Sequence, residues 1–208
     1  MEFRTHRKAL WGIGSAFVRK RIGVLISGNG STLQAILDCR DLCDVGVVIA
    51  SKENAYGITR AKRAGVPVEI LPEGLRNKEN KSEAEKWILS KLAAFRIEKV
   101  ILAGFMRIVS QDFIKKYSEN IYNIHPSLLP KYKGIDSFEE ALKSQDQTAG
   151  ATFHHVATDV DSGEIILQRE FEIPDHREAS LSHLWLHIQE QRVLKESLRK
   201  VLWQPVQI

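Results

Sequence analysis

The stretch Arg21-Ile-Gly-Val-Leu-Ile-Ser-Gly-Asn-Gly-Ser-Thr-Leu-Gln-Ala-Ile-Leu-Asp-Cys39 decides the fold of this chain. Its opening, Arg21–Ser27, is a short, mainly apolar run, the pattern of a strand buried on both faces. Leu33–Cys39 then carries apolar residues at helical intervals. Between them lies the glycine turn Gly28-Asn-Gly-Ser31. A strand that enters a helix through such a turn is the opening unit of an α/β sheet.

The same alternation continues outward. Val45–Ser51 reads as a second strand, Ile58–Ala64 as a helix and Val68–Leu71 as a short third strand. Ser82–Phe95 spaces Trp87, Ile88, Leu92 and Phe95 as a helix does, and Lys99–Ala103 is the fourth strand. Apolar strands separated by helices imply a mostly parallel central sheet with helices on both faces. The second half changes character. After the strand Ile121–Ile124 and a proline-bearing loop, Ala149–Val156 and Glu164–Ile173 are longer strands split by the turn Asp159-Val-Asp-Ser-Gly163. This half supplies the antiparallel portion of the expected sheet. Ser180–Lys200 reads as a closing, mostly amphipathic helix bearing Leu181, Leu184, Trp185, Ile188, Val193, Leu194 and Leu198.

With 43% hydrophobic and 27% charged residues in 208, the composition is that of one globular domain. The net charge of +4 is concentrated at the start, where Arg4, Arg7, Lys8, Arg19, Lys20 and Arg21 face the single acid Glu2. The remainder is slightly acidic, so the charge is no nucleic-acid signal. No apolar run approaches the length of a membrane span. Cys39 and Cys43 have no histidine or cysteine partners at metal-ligand spacing and read as reduced thiols. A cytoplasmic enzyme without metal, nucleic-acid or membrane partners is the expectation, as a monomer or homodimer. Residues 1–20, basic and poor in acids, resemble a transit peptide or a loosely attached extension and are set apart from a domain spanning residues 21–208.

Three segments carry chemistry. The turn Ser27-Gly-Asn-Gly-Ser-Thr32 suits a phosphate, because glycines let backbone N–H groups approach an anion at a helix start. It is neither a dinucleotide fingerprint nor a Walker loop, and an ordinary glycine turn is its alternative. Ala103-Gly-Phe-Met-Arg-Ile-Val109, at the end of the fourth strand, suits a flat heteroaromatic ligand, although composition alone favours Phe105 and Met106 as core. The third segment is Asn123-Ile-His-Pro-Ser-Leu-Leu-Pro130, followed by Asp161. Asn123 and His125 stand two apart on one strand, hence on one face. An amide can donate to an oxyanion, an imidazole can handle a proton, and a carboxylate favours the charged imidazole. Against this, a lone histidine near a strand end is usually structural, and Asp161 could merely cap its turn. His154 and His155 are adjacent, so only one can face the site.

Together, Gly28-Asn-Gly-Ser31, Ala103-Gly-Phe-Met-Arg-Ile108, Asn123-Ile-His-Pro-Ser-Leu-Leu-Pro-Lys-Tyr132 and Asp161-Ser-Gly163 with Ile166-Leu-Gln168 resemble the folate-dependent formyltransferases of the glycinamide ribonucleotide type. The resemblance runs from about Arg21 to Val201 and implies a Rossmann-like formyltransferase fold. It implies transfer of a formyl group from 10-formyltetrahydrofolate, as cosubstrate, to the amine of 5-phosphoribosylglycinamide in purine biosynthesis. Gly30, Ser31 and Thr32 would hold the substrate phosphate, with Thr32 standing where relatives carry Asn. Glu190 would bind the ribonucleotide, with His187 beside it. Met106, Arg107, Ile108 and Val109, with Lys81 and Asn123, would line the folate site. Asn123, His125 and Asp161 would be catalytic, Asp161 keeping His125 protonated. Two stretches depart from the family pattern: Ile135-Asp-Ser-Phe138, and Gln191 with Leu194-Lys195.

Three alternatives stand beside this reading. A formyltetrahydrofolate hydrolase would use the same groups with water as acceptor but carries an added N-terminal domain. An initiator-tRNA formyltransferase carries an added C-terminal domain. A non-catalytic nucleotide- or folate-binding module would have no need of Asn123, His125 and Asp161 together.

Overall fold

The computed structural model describes residues 19–144, 146–173 and 179–202. Apart from Arg19 and Lys20, the expected N-terminal extension lies outside the described residues. The elements run β1 (Arg21–Ile26), α1 (Ser31–Leu37), β2 (Asp44–Ala50), α2 (Gly57–Arg63), β3 (Val68–Ile70), α3 (Lys81–Ala94) and β4 (Lys99–Leu102). They continue with α4 (Gln111–Tyr117), β5 (Ile121–His125), α5 (Ser137–Lys143), β6 (Thr148–His155), β7 (Ile165–Glu172) and α6 (Ala179–Leu202). One seven-stranded sheet has the order β3-β2-β1-β4-β5-β6-β7. Its first five strands pair in parallel, and β6 lies antiparallel to both β5 and β7. This is the mostly parallel sheet with an antiparallel C-terminal portion expected from the sequence.

Burial of β1 on both faces explains its near-continuous apolar run. Ile22, Val24 and Ile26 pack into a layer with Leu33 and Ile36 of α1, Ile58 of α2, and Val193, Leu194 and Leu198 of α6. Leu25, with Val47 and Ile49 of β2, points the other way, against Ala84, Ile88 and Leu92 of α3 and Phe113 of α4. Strand alternation thus sends successive side chains to two covering helical layers.

Two short helices had no sequence expectation, and one expectation, the inward face of α6, is corrected. Gln111–Tyr117 is helical, started by Ser110, whose hydroxyl accepts from the Phe113 N–H at 3.2 Å. Its seven residues are too few to show a helical period in sequence, and the cap was the available signal. The departure Ile135–Phe138 turns helical at Ser137 to begin α5. On α6, Leu184 and Ile188 are exposed, whereas Leu186, Glu190, Val193, Leu194, Ser197, Leu198 and Leu202 form the buried stripe. The inward face is therefore rotated from the one the largest apolar residues suggested, because it includes a buried glutamate and serine.

The chain reverses its winding between β1 and β4. The loops that follow these two strands leave the same edge of the sheet, the place where open α/β sheets form their ligand crevice. They are tied to one another: the Ser27 N–H donates to the Gly104 carbonyl at 3.0 Å, and the Met106 N–H donates to Ser27 Oγ at 2.9 Å. Ser27 Oγ also meets Ser51 Oγ at 2.6 Å, adding the end of β2.

Candidate active site

The site is built on β5 and β6. Their antiparallel register places Asn123 opposite His154 and His125 opposite Thr152. Alternation puts Asn123 and His125 on one face, as their spacing required. The Asp159–Gly163 turn returns across that face. Asp161 adopts φ 49°, and a Cβ placed on Gly163 would lie 1.7 Å from the His155 carbonyl oxygen, so only glycine permits this approach.

Asp161 joins the other two residues. Asn123 Nδ2 donates to its Oδ1 at 3.2 Å, and His125 Nδ1 lies 3.4 Å from its Oδ2. The Gly134 N–H donates to the same Oδ2 at 3.0 Å. Asp161 therefore does not spend its side chain on its own turn, which is closed instead by Ser162 Oγ donating to the Asp159 carbonyl. Burial pushes the Asp161 carboxyl up, but the bonds from His154 and the Gly134 N–H and the charges of His125 and His154 outweigh it. They hold the carboxyl at about 2. The group is an anion throughout the neutral range.

Sequence reasoning left open which of His154 and His155 faces the site. It is His154, whose Nε2 lies 3.3 Å from Asn123 Nδ2 and 3.7 Å from Asp161 Oδ1. Its Nδ1–H donates to the His155 carbonyl at 2.8 Å, which leaves Nε2 to face Asn123 and Asp161. His155 turns away, its ring 5.1 Å from that of Tyr122. Sequence reasoning missed a further partner, the Tyr132 carbonyl, which accepts from His125 Nε2–H at 2.7 Å. No side-chain pattern could have revealed a backbone acceptor. With Nε2–H on a carbonyl and Nδ1 facing a carboxylate, His125 has an acceptor on each side of its ring.

The loop after β4 is less buried than composition suggested. Met106 is 57% exposed and Ile108 64%, beside half-buried Phe105 and Arg107 and buried Val109. Large apolar side chains held out at the end of a strand can cover an apolar ligand. Arg107 Nη1 donates to the Arg76 carbonyl at 2.8 Å, and Glu85 of α3 accepts from the Ser110 N–H at 2.8 Å. Lys81 begins α3, and among the described residues no hydrogen bond or ion pair joins its side chain to Met106–Val109.

Gly30, Ser31 and Thr32 form the start of α1 beside Gly57. Gly30 has φ 73°, and a Cβ there would lie 2.7 Å from Gly57 Cα, so glycine is required on two counts. Thr32 Oγ1 donates to Glu190 Oε1 at 3.0 Å, and His187 Nδ1 lies 3.4 Å from Glu190 Oε2. The structure thus brings together three residues taken from opposite ends of the sequence. A hydrogen bond to Glu190 raises the His187 pKa, opposed by burial and supported by the glutamate's charge.

Among the described residues, no group of three or more His, Cys, Asp or Glu side chains is placed to hold a metal ion. No helix among them is long and apolar enough to cross a membrane. Cys39 and Cys43 are buried and free, and burial pushes the Cys43 thiol up to about 12.

A sequence model described as "Formyl transferase" matches residues 20–198. The phosphoribosylglycinamide formyltransferase of Haemophilus influenzae is 36% identical over 176 residues, covering 83% of this chain and 81% of that protein. The human trifunctional purine biosynthetic protein adenosine-3 is 42% identical over 154 residues, 72% of this chain. This chain spans only 15% of that human protein and 14% of its Chironomus tentans counterpart. Among solved structures, glycinamide ribonucleotide transformylase 1 from Symbiobacterium toebii superposes with a TM-score of 0.81 at 36% identity, covering 87% of this chain and 86% of that one. The Geobacillus kaustophilus enzyme of the same name gives 0.82 at 30% identity, covering 89% and 100%.

Proposed function

Given that the chain belongs to the formyl transferase family, we propose that it transfers a formyl group from 10-formyltetrahydrofolate to the amine of 5-phosphoribosylglycinamide. The observation that carries this reading is the single network in which Asp161 faces both Asn123 and His125. Acyl transfer needs an oxyanion donor, an acid and a fixed negative charge, which an amide, an imidazole and a carboxylate can supply.

The acceptor amine attacks the formyl carbon, and its electron pair displaces the C=O π electrons onto oxygen. His125 Nε2–H, released from the Tyr132 carbonyl, and the Asn123 amide N–H donate to that oxygen. Asp161 stays ionised and balances the imidazolium. Collapse of the tetrahedral intermediate re-forms C=O and breaks the bond to the folate nitrogen. That nitrogen gains one proton while the acceptor nitrogen loses one, so the products are the formamide and tetrahydrofolate. Pairing the reactants contributes roughly 7–11 kcal/mol in well-oriented systems.

In the structure every one of these donors is already satisfied inside the protein. Asn123 Nδ2 has Asp161 Oδ1 and His154 Nε2 within reach, and His125 Nε2 has the Tyr132 carbonyl. The formyl oxygen therefore exchanges one set of acceptors for another, and segment 131–134 must shift by enough to free Nε2. The His125 side chain is buried.

Met106, Ile108 and Val109, with Arg107, supply the folate contact surface. Gly30, Ser31 and Thr32 hold the ribonucleotide phosphate through the start of α1, and Glu190, steadied by Thr32 and His187, accepts hydroxyl donors of its sugar. The enzyme acts on small molecules, as a cytoplasmic protein.

The test is formyl transfer followed with and without 5-phosphoribosylglycinamide. Turnover that needs the ribonucleotide and yields the formamide is expected. Equal release of formate without it points to a hydrolase, and binding of both ligands without turnover points to a binding module.

A further inference from the structure

We propose that the hollow between α1 and α2, outside the reaction site, is a second anion site that takes a ligand bearing a diphosphate group. It has a volume of about 270 Å³ and is lined by Gln34, Leu37, Asp38, Arg40, Tyr56, Arg60, Arg63 and Ala64. Three arginines thus line one concavity with a single acidic residue, Asp38, whose carboxylate already accepts from Gln34 Nε2 at 3.0 Å.

Arg40 and Arg63 are exposed and Arg60 is half-buried, and each makes a hydrogen bond to a neighbouring group. Arg60 Nε donates to the Asn29 carbonyl at 2.9 Å and its Nη1 to Gln34 Oε1 at 3.3 Å, while the guanidinium lies 5.0 Å from the Tyr56 ring centre. Arg40 Nη2 donates to the Ala64 carbonyl at 2.9 Å, at the end of α2. Arg63 Nη1 reaches Tyr56 Oη at 3.5 Å. All of these acceptors are uncharged, and among the described residues none of the three arginines makes a salt bridge with a carboxylate. Gathering like charges is unfavourable until an anion joins them, and prior fixing of the forks reduces the ordering cost of binding. Planar forks with unused N–H groups suit phosphate oxygens, and several forks in one hollow suit two linked phosphates better than one.

The proposal stands apart from the formyl-transfer reading, since none of Arg40, Arg60, Arg63 or Tyr56 is assigned to that reaction. It touches it at one point. Arg60 holds Asn29, in the loop Gly28–Ser31, so a ligand here shares a residue with the proposed phosphate loop.

The experiment is calorimetric titration of the full chain at low salt with inorganic pyrophosphate and, separately, with ADP. The variants are Arg40→Ala combined with Arg63→Ala, and Lys86→Ala combined with Lys115→Ala, which removes the same charge from exposed positions on α3 and α4. The wild type is expected to bind both probes. The arginine pair is expected to weaken binding by about tenfold or more, as for loss of charge-assisted hydrogen bonds, while the lysine pair stays near wild type. Equal affinity for the two probes assigns the diphosphate group itself as the ligand; tighter ADP assigns a nucleotide. No binding by the wild type overturns the proposal. So does wild-type affinity in the arginine pair, or an equal loss in both pairs.

Discussion

Thr32 and Glu190, one at the start of the first helix and one in the last, share a hydrogen bond of 3.0 Å from hydroxyl to carboxylate, and both are buried. The bond makes the proposed ribonucleotide site a junction of the two ends of the fold. Thr32→Val keeps the shape and removes the donor, leaving a buried carboxylate oxygen short of a partner. A loss of about 1–3 kcal/mol is expected in urea unfolding. Glu190→Gln is expected to raise KM for the ribonucleotide more than it lowers kcat, because in the proposed function the glutamate binds and does not react.

His187 makes the same junction pH-dependent. Its pKa is raised above 6.5 by Glu190. The stabilisation is therefore fully present below 6.5 and is lost as pH rises through the higher folded value. The ring is half exposed, so the effect is small. The stability difference between wild type and His187→Gln, followed by urea unfolding from acid to alkaline pH, should shrink as pH rises; a difference that grows would contradict the pairing.

Asp161 behaves in the opposite sense. Its carboxyl is held at about 2 against an ordinary 3.8. Its contribution, about 2 kcal/mol by linkage, is present above pH 3.8 and lost as pH falls toward 2. Asp161→Asn should flatten this part of the acid-unfolding curve, measured by circular dichroism.

Gly163 tests whether the turn positions the carboxylate. A Cβ would collide with the His155 carbonyl at 1.7 Å, a backbone contact that no side-chain rotation relieves. Gly163→Ala should cost about 1–3 kcal/mol of stability by overpacking and lower turnover well below wild type. Unchanged turnover would mean that Asp161 needs no such support.

Much of this was legible in the sequence, for physical reasons that differ by element. β1 and its turn were plain because a doubly buried strand must be continuously apolar and Gly30 must take a positive φ. Asn123 and His125 could be placed on one face by alternation alone. His154 was reducible to one of two, and only the β5–β6 register chose between them. The Tyr132 carbonyl and the Gly134 N–H were invisible, since backbone groups leave no mark on residue type. The inward face of α6 was misjudged because Glu190 and Ser197 are buried there while Leu184 and Ile188 are not. The hollow between α1 and α2 was also hidden, because Arg40 joins Arg60 and Arg63, neighbours on one helix, only through the fold.

The most direct test of the account compares turnover and ligand binding in wild type, His125→Ala and Asp161→Asn. Each variant is expected to lose about 10²–10³-fold or more in formyl transfer at saturating substrates, the loss typical of one oxyanion donor, while binding ribonucleotide and folate within a few-fold of wild type. Near-wild-type turnover in either variant would contradict the proposed roles of His125 and Asp161.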